Sequence, residues 1–256
     1  MRDMCEDWPA LAGLIDQIAP ERREWDKADV LAQRSDWREF VRELTGAQDV
    51  DIDRALADFR DDAEFQTAFR PRLDELDTLP AAGDLRFHSL TLYAMVRLVK
   101  PRIVVETGVA SGKSSSMILL ALHHNQEGVL HSVDLPNPVG QELPDGASTH
   151  TGSREVGWLV PDYLRERWRL NLGNSLPVLA TLAAEETVID IFMHDSLHTD
   201  EHVTAELETV APCLHPGSVV LIDNADMMEG ALTRFAQHHQ QQESLGYRNL
   251  AGMVWR

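Results

Sequence analysis

The sequence contains little cysteine, few basic residues and no long apolar run. Its 256 residues include only two cysteines, Cys5 and Cys213, which offer no zinc framework and suit a reducing compartment. No stretch approaches the roughly 18 apolar residues that a membrane-spanning helix needs. The N-terminus lacks the basic start and apolar core of a secretion signal. We therefore expect a cytoplasmic protein with no membrane partner.

Positive charge is scarce as well. The chain has 23 lysines and arginines against 42 aspartates and glutamates, which gives a formal net charge of −19. Nucleic-acid binding relies on clustered basic side chains, so this balance argues against a nucleic-acid partner. The hydrophobic content of 43% allows a substantial core. The composition favours a small-molecule ligand or a basic one.

Residues 1–84 show a helical and acidic pattern without glycine-rich strand signals. The segments WREFVREL (37–44) and DIDRALADF (51–59) place apolar residues at helical spacings of three and four. Pro71, Pro80 and the AAG at 81–83 then mark a boundary. We interpret residues 1–84 as an N-terminal helical appendage that shapes a pocket or forms a homo-oligomer interface.

Residues 85–256 alternate short β-branched runs with helical stretches. Strand–helix alternation with nearly unbroken apolar strands predicts a parallel sheet covered on both faces. The final pair, YRNL and GMVWR, predicts an antiparallel edge hairpin. The expected fold is therefore α/β, a doubly wound and mostly parallel seven-stranded sheet. The predicted strands are IVVE (103–106), VLHSVD (129–134), RLNLG (169–173), VIDIFMHD (188–195) and SVVLID (218–223), with helices near 113–124, 159–167, 176–184, 199–213 and 229–243.

Acidic side chains collect where the predicted strands end. Ligands of open α/β sheets bind at the carboxyl ends of the strands. The residues at these ends are Glu106, Asp134, Asn174, Asp195 and Asp223. Four of the five are acidic, which marks this edge of the sheet as a candidate site.

The loop after the first strand reads ETGVASGKSSS (106–116) and resembles a phosphate-binding loop. A P-loop needs four residues between its glycines, whereas Gly108 and Gly112 enclose three. The dinucleotide fingerprint also fails, because position 110 is alanine and position 113 is lysine. The Glu106 carboxylate would repel a pyrophosphate but attract an ammonium group. The loop therefore favours a ligand with adenosine at one end and a cationic amino acid at the other.

Small residues in this loop, Gly108, Ala110 and Gly112, let the backbone approach such a ligand closely. Asp134 ends the second strand, where an acidic residue can accept both ribose hydroxyls. A role for Glu106 and Asp134 as helix caps or surface residues is the alternative.

Taken in order, ETGVASGKSS, SVD, GWLVPDYLRERWRLNLGNS, HDSLH and LIDN resemble a class I S-adenosylmethionine-dependent methyltransferase. The similarity covers roughly residues 86–256 and is greatest to metal-dependent small-molecule O-methyltransferases of the catechol and macrolide-sugar type. The resemblance implies a Rossmann-like fold for residues 85–256 and S-adenosylmethionine as the cofactor. It places Glu106 near the methionine amino group, Asp134 at the ribose, and Asn174 and Ser175 by the adenine. The full cofactor set that it implies is Glu106, Gly108, Ala110, Gly112, Ser114, Asp134, Asn174, Ser175 and Asp195.

A second group of polar residues follows the fourth and fifth strands, in HDSLHTDEH (194–202) and IDNAD (222–226). Asp195, Asp223 and Asn224 offer the oxygen ligands that suit a hard divalent ion such as Mg²⁺, and the resemblance supports this metal site. His198 corresponds to the general base proposed in related sugar methyltransferases; the alternative is a cap or an aspartate partner. His194 and His202 complete a helical spacing that could suggest zinc, but His194 falls inside a predicted strand.

Segment 135–155 is long, polar and rich in Pro, Gly, Ser and Thr, which is typical of a functional flap. His150 and Arg154 are its candidate contacts, and Tyr93 and His88 could edge the same cleft. We expect methyl transfer to a hydroxyl of a natural product, sugar or polyphenol, assisted by metal. The alternatives are a related metal-dependent hydroxylase or hydrolase, and a non-catalytic cofactor-binding regulatory subunit.

Overall fold

The computed structural model describes residues 36–76, 88–135, 154–185, 188–228, 230–242, 244–247 and 250–256. Most of the predicted flap, including His150, and the predicted boundary at residues 84 and 85 lie outside these ranges, as does the side chain of His88. None of the described helices is long and apolar enough to cross a membrane.

A seven-stranded sheet forms the centre of the molecule, in the order β3-β2-β1-β4-β5-β7-β6. The first five strands run parallel, and β7 lies antiparallel to both β5 and β6. The predicted parallel sheet and antiparallel edge hairpin are therefore confirmed. The strands are β1 Ile103–Thr107, β2 Val129–Asp134, β3 Trp168–Leu172, β4 Ile189–His194, β5 Leu214–Ile222, β6 Leu245–Tyr247 and β7 Leu250–Val254.

Helices cover both faces of this sheet. Between the strands, the stretch near 159–167 forms a 3₁₀ helix at Asp162–Arg167 rather than the predicted α-helix, and the helix predicted near 229–243 is shorter. Numbered along the described chain, the α-helices are α1 Asp36–Thr45, α2 Asp49–Asp61, α3 Ala63–Leu76, α4 His88–Val99, α5 Lys113–Asn125, α6 Ser175–Glu185, α7 Asp200–Val210 and α8 Ala231–His238.

Neighbouring residues of each strand point to opposite faces, so the sheet separates two hydrophobic cores. Val104 packs with the core that contains α4 and α5, whereas Val105 packs with the core under α6, α7 and α8. Because both faces are buried, the central strands are mostly apolar, although β2 contains His131 and Ser132 and β4 contains Asp190.

The N-terminal helices belong to the first of these cores. α1 lies directly on β7, where a Cβ added to Gly252 would be 2.8 Å from Leu44 Cδ1 and 3.0 Å from Phe40 Cζ. The apolar faces of α1 and α2 are thus buried within their own chain. We predicted that Pro71 marks a boundary, but this proline lies inside α3.

A hydrogen-bonded chain of three side chains ties the N-terminal helices to α4 and α5. The Tyr93 hydroxyl lies 2.6 Å from His124 Nδ1, and His124 Nε2 lies 2.9 Å from Asp62 Oδ2. Burial raises the pKa of Tyr93 and lowers that of His124. Tyr93 is fully buried in this contact, so it joins helices rather than edging a cleft.

Candidate active site

The end of β1 carries a fully buried carboxylate, Glu106. The hydroxyls of Ser114, Ser115 and Ser132 donate hydrogen bonds to its oxygens at 2.5, 2.6 and 2.7 Å. Burial raises the pKa of Glu106, although these three hydrogen bonds oppose that shift. Oε2 has two donors and Oε1 has one, so Oε1 could still accept a further hydrogen bond.

The end of β2 holds the loop that follows β1. Asp134 Oδ2 accepts hydrogen bonds from the backbone N–H groups of Val109 and Ala110, at 2.8 and 2.9 Å. Within the described part of the chain, Oδ1 accepts no hydrogen bond. One carboxylate oxygen therefore shapes the loop, and the other is available to a ligand hydroxyl.

The loop glycines allow backbone segments to come close. Gly108 has φ +85°, and an added Cβ would lie 1.8 Å from the Asp195 carbonyl oxygen. Gly112 has φ +90°, and its Cβ would lie 2.8 Å from Gly157 Cα. Ala110 also has a positive φ of 46°. Gly108 and Gly112 have no room for a side chain because neighbouring backbone segments lie in close contact with them. Sequence spacing alone does not reveal this reason.

Asn174 and Ser175 follow β3, at the start of α6. The Asn174 side chain is exposed, and its Oδ1 accepts a hydrogen bond from Leu176 N at 3.0 Å. The Ser175 hydroxyl points inward and lies 3.0 Å from His202 Nε2. The first side chain thus caps a turn of the backbone, while the second is used inside the fold.

The ends of β4 and β5 bring together four side chains that the sequence separates. His198 Nε2 lies 3.5 Å from Asp195 Oδ1, and both ring nitrogens of His198 lie 3.5 Å from Asn224 Nδ2. Asp223 N donates to the His194 carbonyl at 2.9 Å, which joins the two strand ends. We refer to Asp195, His198, Asp223 and Asn224 as the acceptor cluster.

The electrostatics of the acceptor cluster favour a cation. Burial and the nearby Asp223 carboxylate raise the pKa of Asp195 to about 7, while His198 acts in the opposite direction. A divalent ion would relieve the repulsion between the two carboxylates, and the donor set of two carboxylates and an amide suits Mg²⁺. The residues therefore fit a hard metal ion.

Histidine and carboxylate ligands also meet elsewhere on the surface. Within the described ranges, one group of three His, Cys, Asp or Glu residues has ligand atoms that all lie within 4.8 Å of one another. It consists of Glu208, His238 and His239. The side chains of His194 and His202 are directed towards Glu206 instead.

The fold and the motif order correspond to a known family. Residues 105–225 match the family model described as a methyltransferase domain. This part of the chain is a methyltransferase domain, and the fold is the Rossmann-like fold of class I S-adenosylmethionine-dependent methyltransferases. The matched residues run from within β1 to just beyond β5 and so include all the strand ends described above.

Solved structures with the same fold include three methyltransferases. TomG, an O-methyltransferase from Streptomyces achromogenes in complex with SAM, is 18% identical over 77% of this chain and 91% of its own chain, with a TM-score of 0.52. The SAH-bound methyltransferase PaMTH1 of Podospora anserina is 14% identical over 74% and 88%, with a TM-score of 0.52. The O-methyltransferase from Bacillus cereus in complex with SAH is 15% identical over 85% and 96%, with a TM-score of 0.50. No curated protein matches the chain in sequence.

Sequence reasoning missed a second buried carboxylate, Glu206 of α7, which is fully buried like Glu106. Burial alone would raise its pKa, but hydrogen bonds from His194 and His202 lower it well below the usual range. Glu206 lies on the same face of α7 as the buried residues Val203 and Leu207. A glutamate on the apolar face of a helix is the sequence signal that could have revealed it.

Residues 154–162, at the end of the predicted flap and just after it, contact helix α3 of the N-terminal part. Arg72 of α3 donates to the carbonyls of Trp158 and Val160 and pairs with Asp162 at 3.1 Å. Arg154 pairs with Glu75 of α3 and lies over the Trp158 ring. Arg154 is thus bound within the protein rather than offered to a ligand.

Proposed function

We propose that this methyltransferase transfers the methyl group of S-adenosylmethionine to a hydroxyl of a small molecule, with help from a divalent metal. The observation that carries the proposal is the acceptor cluster, which lies next to the cofactor loop. Asp195 N donates to the Thr107 carbonyl at 2.8 Å, and Gly108 packs against the Asp195 backbone. A methyl donor above the loop would therefore be beside the acceptor residues.

The cofactor half of the site uses the ends of β1 to β3. Asp134 Oδ1 would accept from a ribose hydroxyl while Oδ2 keeps the loop in place. The buried Glu106 carboxylate would contribute negative potential near the methionine ammonium group, transmitted through the serine hydroxyls. Asn174 and Ser175 would border the adenine through backbone atoms and the exposed Asn174 side chain.

In the acceptor half, a hydroxyl must lose its proton as its oxygen bonds to the methyl carbon and the sulfur–carbon bond breaks. A ring nitrogen of His198 would take this proton, because histidine titrates near neutral pH. The Asp195 carboxylate, 3.5 Å away, would orient the ring and stabilise its protonated form.

Asp195, Asp223 and Asn224 would hold the metal ion. A bound Mg²⁺ would lower the pKa of the acceptor hydroxyl and hold neighbouring substrate oxygens. Support for O-methylation comes from TomG and the Bacillus cereus enzyme, which are described as O-methyltransferases. A cytoplasmic location and a homo-oligomer formed through the N-terminal helices stay predictions.

The test combines binding and turnover. Calorimetry should detect binding of S-adenosylmethionine, and incubation with the methyl-labelled cofactor and a set of hydroxylated metabolites should give a labelled ether. If label appears only on nitrogen or carbon acceptors, O-methylation is wrong. Binding of the cofactor without transfer to any class of acceptor would favour a non-catalytic subunit.

A further inference from the structure

The Glu206 carboxylate accepts hydrogen bonds from side chains at the ends of β1 and β4 and from its own helix, α7. Thr107, at the end of β1, donates to Oε2 at 2.7 Å, and Ser196, after β4, donates to Oε1 at 2.8 Å. His194 Nδ1 lies 2.7 Å from Oε2, and His202 Nε2 lies 3.0 Å from Oε1. We call these five residues the Glu206 cluster.

One branch of the cluster reaches the cofactor half of the site. The Ser175 hydroxyl lies 3.0 Å from His202 Nε2, which in turn lies 3.0 Å from Glu206 Oε1. Ser175 is the first residue of α6 and follows Asn174 at the end of β3. The position of the predicted adenine-binding turn is therefore connected to Glu206.

The other branch reaches the acceptor half. Ser196 is the neighbour of Asp195, and the His194 ring packs edge-on against the His198 ring, with 5.7 Å between centroids. His194 Nε2 is buried and finds no hydrogen-bond partner among the described residues, so Glu206 provides the bond that orients this ring. The positions of Asp195 and His198 are connected to the same carboxylate.

A buried carboxylate is costly unless it is fully hydrogen-bonded. The partners of Glu206 come from β1, from β4 and the segment just after it, and from α7. Two branches of the network end at opposite halves of the site. Buried networks in which one carboxylate receives several hydrogen bonds hold their members in a single arrangement.

We propose that Glu206 is a positioning residue that sets the distance between the cofactor half and the acceptor half of the active site. This inference rests on the proposed methyl transfer. It adds a residue that touches neither ligand but controls both cofactor affinity and turnover, through Ser175 on one side and Ser196 and His194 on the other.

The first experiment compares Glu206→Gln with Glu208→Gln on the same helix, where the exposed Glu208 side chain hydrogen-bonds to His239 at the surface. In Glu206→Gln, the NH₂ group of the new amide would face side chains that donate hydrogen bonds to the wild-type carboxylate. We expect the Kd of S-adenosylmethionine to rise and kcat to fall, each about tenfold. Glu208→Gln should change neither value.

The second experiment works even if Glu206→Gln does not fold. Ser175→Ala and Ser196→Ala should be measured singly and together, with kcat/KM as the readout. Residues that share a partner couple, whereas independent residues add. We expect the double variant to depart from additivity by about fivefold, an effect that two separate structural contacts would not produce.

The outcomes separate this inference from the proposed function. Strict additivity of the two serine variants, or unchanged Kd and kcat in folded Glu206→Gln, would overturn the role of Glu206 while leaving methyl transfer intact. A wild-type protein that neither binds nor uses S-adenosylmethionine would instead overturn the proposed function, and the positioning role with it.

Discussion

The carbonyl oxygen of Asp195 occupies the place where a side chain on Gly108 would lie. An added Cβ would be 1.8 Å from this oxygen and 2.4 Å from the carbonyl carbon. The contact joins the loop after β1 to the end of β4, so the cofactor half and the acceptor half of the site share one backbone interface.

Replacing Gly108 should therefore test the packing of the site. Gly108→Ala combines a left-handed backbone with a clash against main-chain atoms that cannot rotate away. We expect the free energy of unfolding, measured with denaturant, to fall by about 2–4 kcal/mol. The control is Gly46→Ala, which has φ +70° but nothing within 4 Å of the added Cβ and should lose only about 1 kcal/mol. Equal losses in the two variants would show that the contact with Asp195 is unimportant.

Asp134 should matter for the cofactor and for its loop. Asp134→Ala removes the acceptor for two backbone N–H groups as well as the oxygen offered to the ribose. We expect binding of S-adenosylmethionine in calorimetry to weaken by about 1.5–3 kcal/mol. Tight binding of ATP by the wild type, without binding of S-adenosylmethionine, would contradict this assignment and restore the phosphate-loop interpretation.

The metal prediction concerns the two carboxylates of the acceptor cluster. A chelator should reduce turnover, and added Mg²⁺ should restore it, because the ion balances the charges of Asp195 and Asp223. Asp195→Ala and Asp223→Ala should each abolish the rescue, whereas Asp61→Ala, at an exposed ion pair, should retain it. Turnover that ignores chelation would mean that the carboxylates orient the acceptor directly.

His198 should affect the transfer step rather than cofactor binding. If its ring nitrogen removes the hydroxyl proton, His198→Ala should lower kcat by about 10²–10⁴ and leave the Kd of S-adenosylmethionine nearly unchanged. The wild-type rate should rise with pH as the imidazole loses its proton, and the variant should lack this dependence. Survival of the acidic limb in His198→Ala would assign proton removal to another group.

Glu106 should make the stability of the fold depend on pH. Burial raises its folded-state pKa above the ordinary value of 4.5, so the native state binds this proton more tightly than the unfolded chain. Stability should therefore decline as pH rises from about 4.5 towards the raised pKa. In Glu106→Gln this component should disappear, whereas Glu166→Gln, on an exposed side chain, should keep it. The measurement is the free energy of unfolding across this pH range, and identical slopes in all three proteins would count against the burial argument.

Much of the fold follows from local patterns in the sequence. The predicted strand VLHSVD has the observed bounds, Val129–Asp134, because a short apolar run between turn residues has few alternatives. We interpreted Pro71 as a boundary because proline is rare inside helices. This prediction was wrong. Here α3 continues through Pro71 to Leu76, in a helix that is also anchored by Arg72.

The sequence by itself determined the succession of strands and most helices along the chain, and it placed polar residues within two positions of each strand end. Both depend on apolar periodicity and on neighbouring residues. Only the tertiary structure decided what each carboxylate does. Glu106 meets the hydroxyls of Ser114, Ser115 and Ser132, and Glu206 meets Thr107 and Ser196. Parallel strands bring together residues that are far apart in the chain, so hydrogen-bond partners depend on packing and strand order, which no local pattern contains.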